Sequence, residues 1–334
     1  MPQIFKTDAL ERLENFLNKN NYSDKIERLT PDASTRRFFR INLPDQTAIA
    51  CVYAEKFDET LPQIDVTNLF LSCGLPVAEI FEIDYENGII IHEDFGDKIL
   101  REYLEKADSE TKENLLNQAI SLIAQLQNLT TQAFKQNSIA SKLKFDEEKL
   151  LWELNFFKTH YFESLLKKPL DKKTKENLTN EFIELSQELE TYATVLTHRD
   201  FHAANLMLDD DNNLKIIDHQ DARIGSVAYD LVSLLLDRIT EIPSQDWLEN
   251  KKKYFLIERE KLGLKKIEME KFDYEFDLMT IQRCLKAIGT FSFQAVNFDK
   301  THFIKYIDPM LQAVLEACQR LQRFPNLQRI IKTI

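Results

Sequence analysis

Glycine is scarce in this sequence of 334 residues. There are six, and no two lie close enough to build a phosphate-cradling loop. That removes the P-loop and the dinucleotide fingerprint together, since both need clustered glycines to bring backbone N–H groups onto phosphate. Cysteine is scarce too: Cys51, Cys73, Cys284 and Cys318 form no CxxC pair. Neither a zinc ribbon nor a disulfide framework is expected, and the four read as buried thiols of a cytoplasmic protein. No apolar run approaches the ~18 residues of a membrane span. The start, "MPQIFKTDALERLENFLNKN", is amphipathic and lacks the apolar core of a signal peptide. Basic residues are outnumbered, for a formal net charge of −12. General nucleic-acid binding, which needs clustered Lys and Arg, is therefore not expected, whereas a local nucleotide site remains open.

What is present divides along the chain. Residues 7–20 have the spacing of an amphipathic helix. "RRFFRINL" (36–43), "TAIACVYA" (47–54) and "GIIIHEDF" (88–95) read as strands, with "LPDQ" a turn between the first two. "DVTNLFLSCGLPV" (65–77) reads as a helix ended by Gly74. Beyond "FGDK" (95–98), apolar positions fall three and four apart over 99–106, 112–130, 146–166 and 176–192, and again from 245 onward. One hairpin interrupts them, "LMLDDDNNLKIID" (206–218), followed by a buried helix over 229–239 with Asp230 as its possible N-cap. The expected architecture is α+β: a small β-rich lobe with an inserted helix over 1–95, and a larger, mainly helical lobe over 96–334 carrying a loop and the hairpin.

The loop is "LTHRDFHAANLML" (196–208). His198-Arg199-Asp200 followed after four residues by Asn205 is the phosphoryl-transfer pattern H-R-D-x-x-x-x-N, and the second hairpin strand ends at Asp218. Such chemistry needs an acceptor hydroxyl oriented and metal ions held. Asp200 would take or hydrogen-bond the acceptor's proton; Asn205 and Asp218 would offer oxygens to Mg2+, a hard cation. His198 reads as a residue that shapes the loop, and the spacing of His198 and His202 in a loop does not favour a zinc site.

These residues resemble the aminoglycoside phosphotransferase/choline kinase family. Within it they are most similar to the anomeric sugar kinases of cell-wall recycling, which act on N-acetylmuramate and N-acetylglucosamine. The closer likeness is carried by "DASTRRFFR" (32–40), "HRDFHAANLM" (198–207), "IIDHQDARIGSVAYDLVSLL" (216–235) and "QRCLKAIGTF" (282–291). Three positions depart from the pattern: Pro31 stands where a glycine is usual, His219 where a Phe follows the metal-binding Asp, and Ser226 where a Pro is frequent.

The resemblance implies a protein-kinase-like two-lobe fold, with ATP and Mg2+ as co-substrate and cofactor and transfer to a sugar's C1 hydroxyl. In the first lobe, Ser34, Thr35 and one of the neighbouring arginines would face the phosphates. Strand alternation lets only Arg36 or Arg37 do so, with Arg37 preferred. Glu93 and Phe95 would meet adenine, chiefly through main chain. His202 and Asp221 are candidates for acceptor contact, and Arg283 and Lys286, three apart on one helix, for neutralising an acidic acceptor group such as a lactyl carboxylate. Two other readings stay open. One is a choline, ethanolamine or aminoglycoside kinase. The other is a nucleotide-binding pseudokinase, suggested because "AIACVYAEK" carries no lysine at mid-strand.

Overall fold

The computed structural model describes residues 4–29 and 36–333. Among them ten strands follow in chain order: β1 Ile26–Leu29, β2 Arg37–Asn42, β3 Thr47–Val52, β4 Ile80–Asp84, β5 Ile89–Glu93, β6 Lys98–Ile99, β7 Val195–Thr197, β8 Leu206–Leu208, β9 Leu214–Ile216 and β10 Arg223–Gly225. The chain divides into two compact units. One comprises Met1–Lys106 with Ala204–Asp221; the other comprises Ala107–Ala203 with Ala222–Ile334.

The first unit is built on an antiparallel sheet of order β1-β2-β3-β5-β4. Strand alternation sends Phe39, Ile41, Ala48, Ala50, Val52, Ile89 and Ile91 into one buried cluster. The helix Ala9–Lys19 covers it with Leu13, Phe16 and Leu17. That helix starts where the Asp8 carboxylate accepts the Leu10 N–H at 2.9 Å. The β2–β3 turn closes as expected, Leu43 N–H donating to the Gln46 carbonyl at 2.8 Å. β1 and β4 were not expected from sequence. Both are short and carry charged residues, and β4 reaches β5 through a turn that needs Gly88 at φ +67.

The helix Pro62–Ser72 ends before Gly74, whose φ of +76 turns the chain. The segment just beyond it meets the hairpin: Ile216 N–H donates to the Pro76 carbonyl at 2.8 Å. The expected hairpin forms as β8–β9, with Leu206 opposite Ile216, and β6 pairs along β8.

The second unit is mainly helical. Several of its helices begin with a side-chain cap. Asp108, Asp146 and Asp171 accept the N–H of the third residue on (Thr111, Lys149, Thr174) at 2.8–3.0 Å, and Ser244 accepts that of Trp247 at 3.3 Å. The central element is the helix Met269–Phe298, buried along most of its length and packed on Ile307–Leu321, Glu147–Phe157 and the π-helical turn Lys158–Leu165. Contact there is set by Gly289. A Cβ built on it would lie 2.7 Å from the Phe157 Cα and 2.9 Å from its N.

Gly289→Ala should therefore destabilise the protein by ~1–3 kcal/mol through overpacking. At a helix position without such a contact the same change would stabilise by up to ~1 kcal/mol. A urea midpoint that rises in Gly289→Ala would contradict this packing.

In this unit β7 pairs antiparallel with β10. The Thr197 hydroxyl donates to the Arg223 carbonyl at 2.8 Å, and Gly225 lets the Thr197 and Phe145 side chains close over it. This two-stranded ribbon anchors the loop that leaves β7 at His198.

Candidate active site

The loop after β7 is braced from beneath by Asp230. Its buried carboxylate accepts the backbone N–H groups of His198 at 2.7 Å and Arg199 at 3.1 Å. The chain turns directly after this brace, Arg199 adopting a φ of +86. Burial pushes the Asp230 carboxyl up to about 7, against the pull of those two donors. Asp230 lies inside the helix Tyr229–Leu236 and is not its N-cap, a correction to the sequence reading; Ala228 holds that place without a side-chain bond. His198 is buried edge-on to Phe201, and its Nδ1 accepts the Asp200 N–H at 3.3 Å. It shapes the loop, as expected.

Asp200 is held by two cations from the helix Met269–Phe298. Its Oδ1 accepts from Lys286 Nζ at 2.7 Å and from Arg283 Nη2 at 3.1 Å. Burial alone would raise its pKa, but Lys286, Arg283 and Arg199 hold it well below the usual carboxylate range. Arg283 is 2% exposed, and the same nitrogen also donates to Asp237 Oδ2 at 2.8 Å and Ser233 Oγ at 3.0 Å. Lys286 comes about five-sixths of a turn after Arg283 on the same helix. The spacing read from sequence thus brings both cations to one place, and that place is Asp200. His202 donates its backbone N–H to the Asp200 carbonyl at 3.0 Å. Burial drops its imidazole to about 4, so it is neutral near pH 7. Its Nδ1 is buried without a hydrogen-bond partner among the described residues.

The metal candidates lie in the first unit, just past the paired ends of one hairpin. The Asn205 carbonyl accepts the Ile217 N–H at 3.1 Å, continuing the β8–β9 register by one step. Asp218 follows with a φ of +61, a conformation an Asp tolerates. Its Oδ1 accepts from Gln220 Nε2 at 3.0 Å and lies 3.4 Å from Arg36 Nη2. Two oxygen donors of this kind fit Mg2+, which takes few protein ligands and completes its shell with phosphate and water. Among the described residues no group of three or more His, Cys, Asp or Glu forms a metal cage.

Of the two arginines, the structure turns Arg36 and not Arg37 toward Asp218; Arg36 Nη1 also donates to Gln63 Oε1 at 3.1 Å. Arg37, the preferred candidate from sequence, is exposed and lines a surface cavity with Asp8, Glu14 and Asp24. Strand alternation posed the choice between the two but does not say which of them lies toward Asp218. Arg36 also lies over the Phe38 and Tyr53 rings. His219 fills the place of the usual Phe: it packs at a 30° tilt against Phe70, and its Nε2 is 2.7 Å from Thr67 Oγ1. Glu93 ends β5, its N–H donating to the Glu79 carbonyl at 2.9 Å, and Phe95 is buried with the Lys215 ammonium over its ring. Asp221 is half-buried on the turn after Asp218. Ser34 and Thr35 lie outside the described residues.

Sequence reasoning missed Ser233 and Asp237 entirely. The signal was an acid closing an otherwise apolar helix, "YDLVSLLLD". A buried Asp there requires a buried cation, and Arg283 is that cation.

Two buried histidines set an acid limit on stability. Burial holds His92 and His202 each at about 4, below the ~6.5 of an unfolded histidine. The unfolded chain therefore binds more protons between those values. Stability should be fully present above pH 6.5 and be lost as pH falls toward 4, by up to roughly 3 kcal/mol per group. Asp230, raised to about 7 by burial, contributes in the opposite sense over the same range, so the histidine contribution is read by difference. Between pH 7 and pH 4.5 the urea midpoint of His92→Gln should fall less, or rise more, than that of the parent, and parallel profiles would contradict the buried neutral state.

Residues 25–264 match the phosphotransferase enzyme family, APH, and the chain belongs to that family. It is an enzyme, a kinase, with ATP the donor that the family implies. One relative is the N-acetylmuramate/N-acetylglucosamine kinase of Neisseria meningitidis serogroup B, 28% identical over 264 residues, which are 78% of this chain and 76% of that one. Another, of the same name, is from Pseudomonas putida: 25% identical over 293 residues, covering 84% and 81%. The choline kinase structure from Streptococcus pneumoniae shares the fold, with a TM-score of 0.57, 12% identity and coverage of 92% and 98%. The protein-kinase-like α+β fold expected from sequence is thus the fold found. No helix among the described residues is long and apolar enough to cross a membrane.

Proposed function

We propose that this enzyme transfers the γ-phosphoryl group of ATP, with Mg2+, to the anomeric hydroxyl of N-acetylmuramate or N-acetylglucosamine, giving the sugar 1-phosphate. The observation that carries the reading is the state of Asp200. Two cations hold its carboxylate ionised and make it a weak base. A weak base suits a hemiacetal hydroxyl, which the adjacent ring oxygen makes more acidic than an ordinary alcohol. Two relatives named for these two sugars support the choice.

In this reading Asp200 accepts the hydroxyl proton and aims the oxygen at phosphorus. Asn205 and Asp218 hold the metal, which when bound neutralises phosphate charge. Arg36 takes the phosphate role first given to Arg37, with Ser34 and Thr35 beside it in sequence. The main chain from Glu93 to Phe95 receives adenine, and Asp221 and the neutral His202 contact the acceptor. Residues 1–95 form the nucleotide lobe and 96–334 the catalytic and acceptor lobe, and the enzyme works in the cytoplasm on a small molecule.

The second reading, a choline, ethanolamine or aminoglycoside kinase, brings a cationic acceptor to a carboxylate already flanked by Arg283 and Lys286. Like charges at that distance disfavour it. The test is ADP release from Mg-ATP with N-acetylmuramate, N-acetylglucosamine, choline, ethanolamine and kanamycin. Turnover confined to the N-acetyl sugars is expected. Turnover confined to a cationic acceptor would replace this reading with the second one.

A further inference from the structure

Lys286 was expected, with Arg283, to neutralise an acidic group on the acceptor. The contacts separate the two residues. Arg283 is 2% exposed and committed to Asp200, Asp237 and Ser233. It fixes the carboxylate through Nη2, and its Nε and Nη1, buried without a partner among the described residues, are closed off from a ligand by that burial. Lys286 is different. Its side chain is 14% exposed, and among the described residues its ammonium makes one hydrogen bond, to Asp200 Oδ1 at 2.7 Å. An ammonium donates three.

The acceptor oxygen must hydrogen-bond to the Asp200 carboxylate at about 3 Å and stand ~3–3.5 Å from the phosphorus it attacks. A flexible cation bonded to that same carboxylate therefore reaches the oxygens of the phosphoryl group in flight. Two usual donors for that duty are missing: the chain has no glycine loop of backbone N–H groups, and β3 carries no lysine, with Lys56 exposed beyond the strand. Arg36, 3.4 Å from the metal candidate Asp218, would meet the nucleotide phosphates from the metal's side.

We propose that Lys286 donates hydrogen bonds to the phosphoryl group during its transfer, bridging it to Asp200, and is a catalytic residue and not an acceptor-carboxylate clamp. This rests on the proposed sugar-kinase reading and deepens it. In the step, the acceptor oxygen forms a bond to the γ-phosphorus. The bond from that phosphorus to the β,γ-bridging oxygen breaks, and ADP leaves with the electron pair. The hydroxyl proton passes to Asp200, and Lys286 stays protonated throughout.

The two roles differ in which substrate feels the loss. Lys286→Met should lower kcat on N-acetylglucosamine and N-acetylmuramate alike, by about 10²–10³ as for loss of one transition-state donor. The KM ratio of the two sugars should not move. Lys286→Arg should recover part of kcat, and thermal unfolding of both variants should match the parent. A loss confined to N-acetylmuramate, or carried in its KM, would overturn the proposal, because only that sugar brings a carboxylate. Should the parent enzyme use neither sugar, the sugar-kinase reading fails by itself. Lys286 is then read on its slow hydrolysis of Mg-ATP, where Lys286→Met must again be slower; equal hydrolysis overturns the proposal.

Discussion

Asp200→Asn should lower kcat by about 10²–10⁴, the usual cost of removing a positioned proton acceptor, while Mg-ATP affinity changes little. The carboxylamide is nearly the same size but takes no proton and carries no charge. It also surrenders the charge-assisted bonds from Lys286 and Arg283 that fix its orientation. The backbone of the loop should survive, because its brace is Asp230, which accepts the His198 and Arg199 N–H groups independently of Asp200. Single-turnover transfer and ATP titration by calorimetry separate the two effects. A variant that keeps a tenth or more of kcat would mean that Asp200 is not at the reacting oxygen. One that loses ATP binding as well would mean that the loop collapsed.

Arg283→Met should cost ~3–5 kcal/mol of stability, the range for breaking a buried pair by removing one partner. Arg283 is the counter-ion of Asp237, whose side chain is 4% exposed. Although burial alone would raise the Asp237 pKa, Arg283 and then His202 and Arg238 lower it. Methionine fills most of the space but strands that carboxylate. Adding Asp237→Asn to Arg283→Met should recover a good part of the loss, because the stranded charge is then gone. Urea midpoints of the two single variants and the double variant test this. Additive losses would contradict the pairing.

The sequence made the local elements legible where a physical signal was strong. The H-R-D-x-x-x-x-N pattern, the Asp- and Asn-rich hairpin turn and the helix stop at Gly74 are each written in a few neighbouring residues. β1, β4, β7 and β10 were not legible. They are three to five residues long, too short for alternation to show, and exist because a partner strand pairs with them. The candidate site divides in the same way. Asp200, Asn205 and Asp218 stand close in sequence, so spacing was enough to single them out as candidates. Arg36 over Arg37 depended on which face of β2 points toward Asp218. Asp237 depended on a helix dozens of residues away supplying Arg283. Arg283 and Lys286 were singled out together, but only the structure distinguishes a fully buried anchor, one nitrogen of which meets three oxygens, from a partly exposed cation with hydrogen bonds to give.

The proposed anomeric acceptor rests on Asp200, whose carboxylate two cations hold well below the usual range. The most direct measurement is the turnover of N-acetylglucosamine against its methyl glycoside, in which C1 carries no hydroxyl but every other alcohol remains, with Mg-ATP and the phosphorus spectrum of the product. The account predicts an acid-labile sugar 1-phosphate from the free sugar and no product from the glycoside. Equal phosphorylation of the glycoside would place the transferred group on an ordinary alcohol and contradict it.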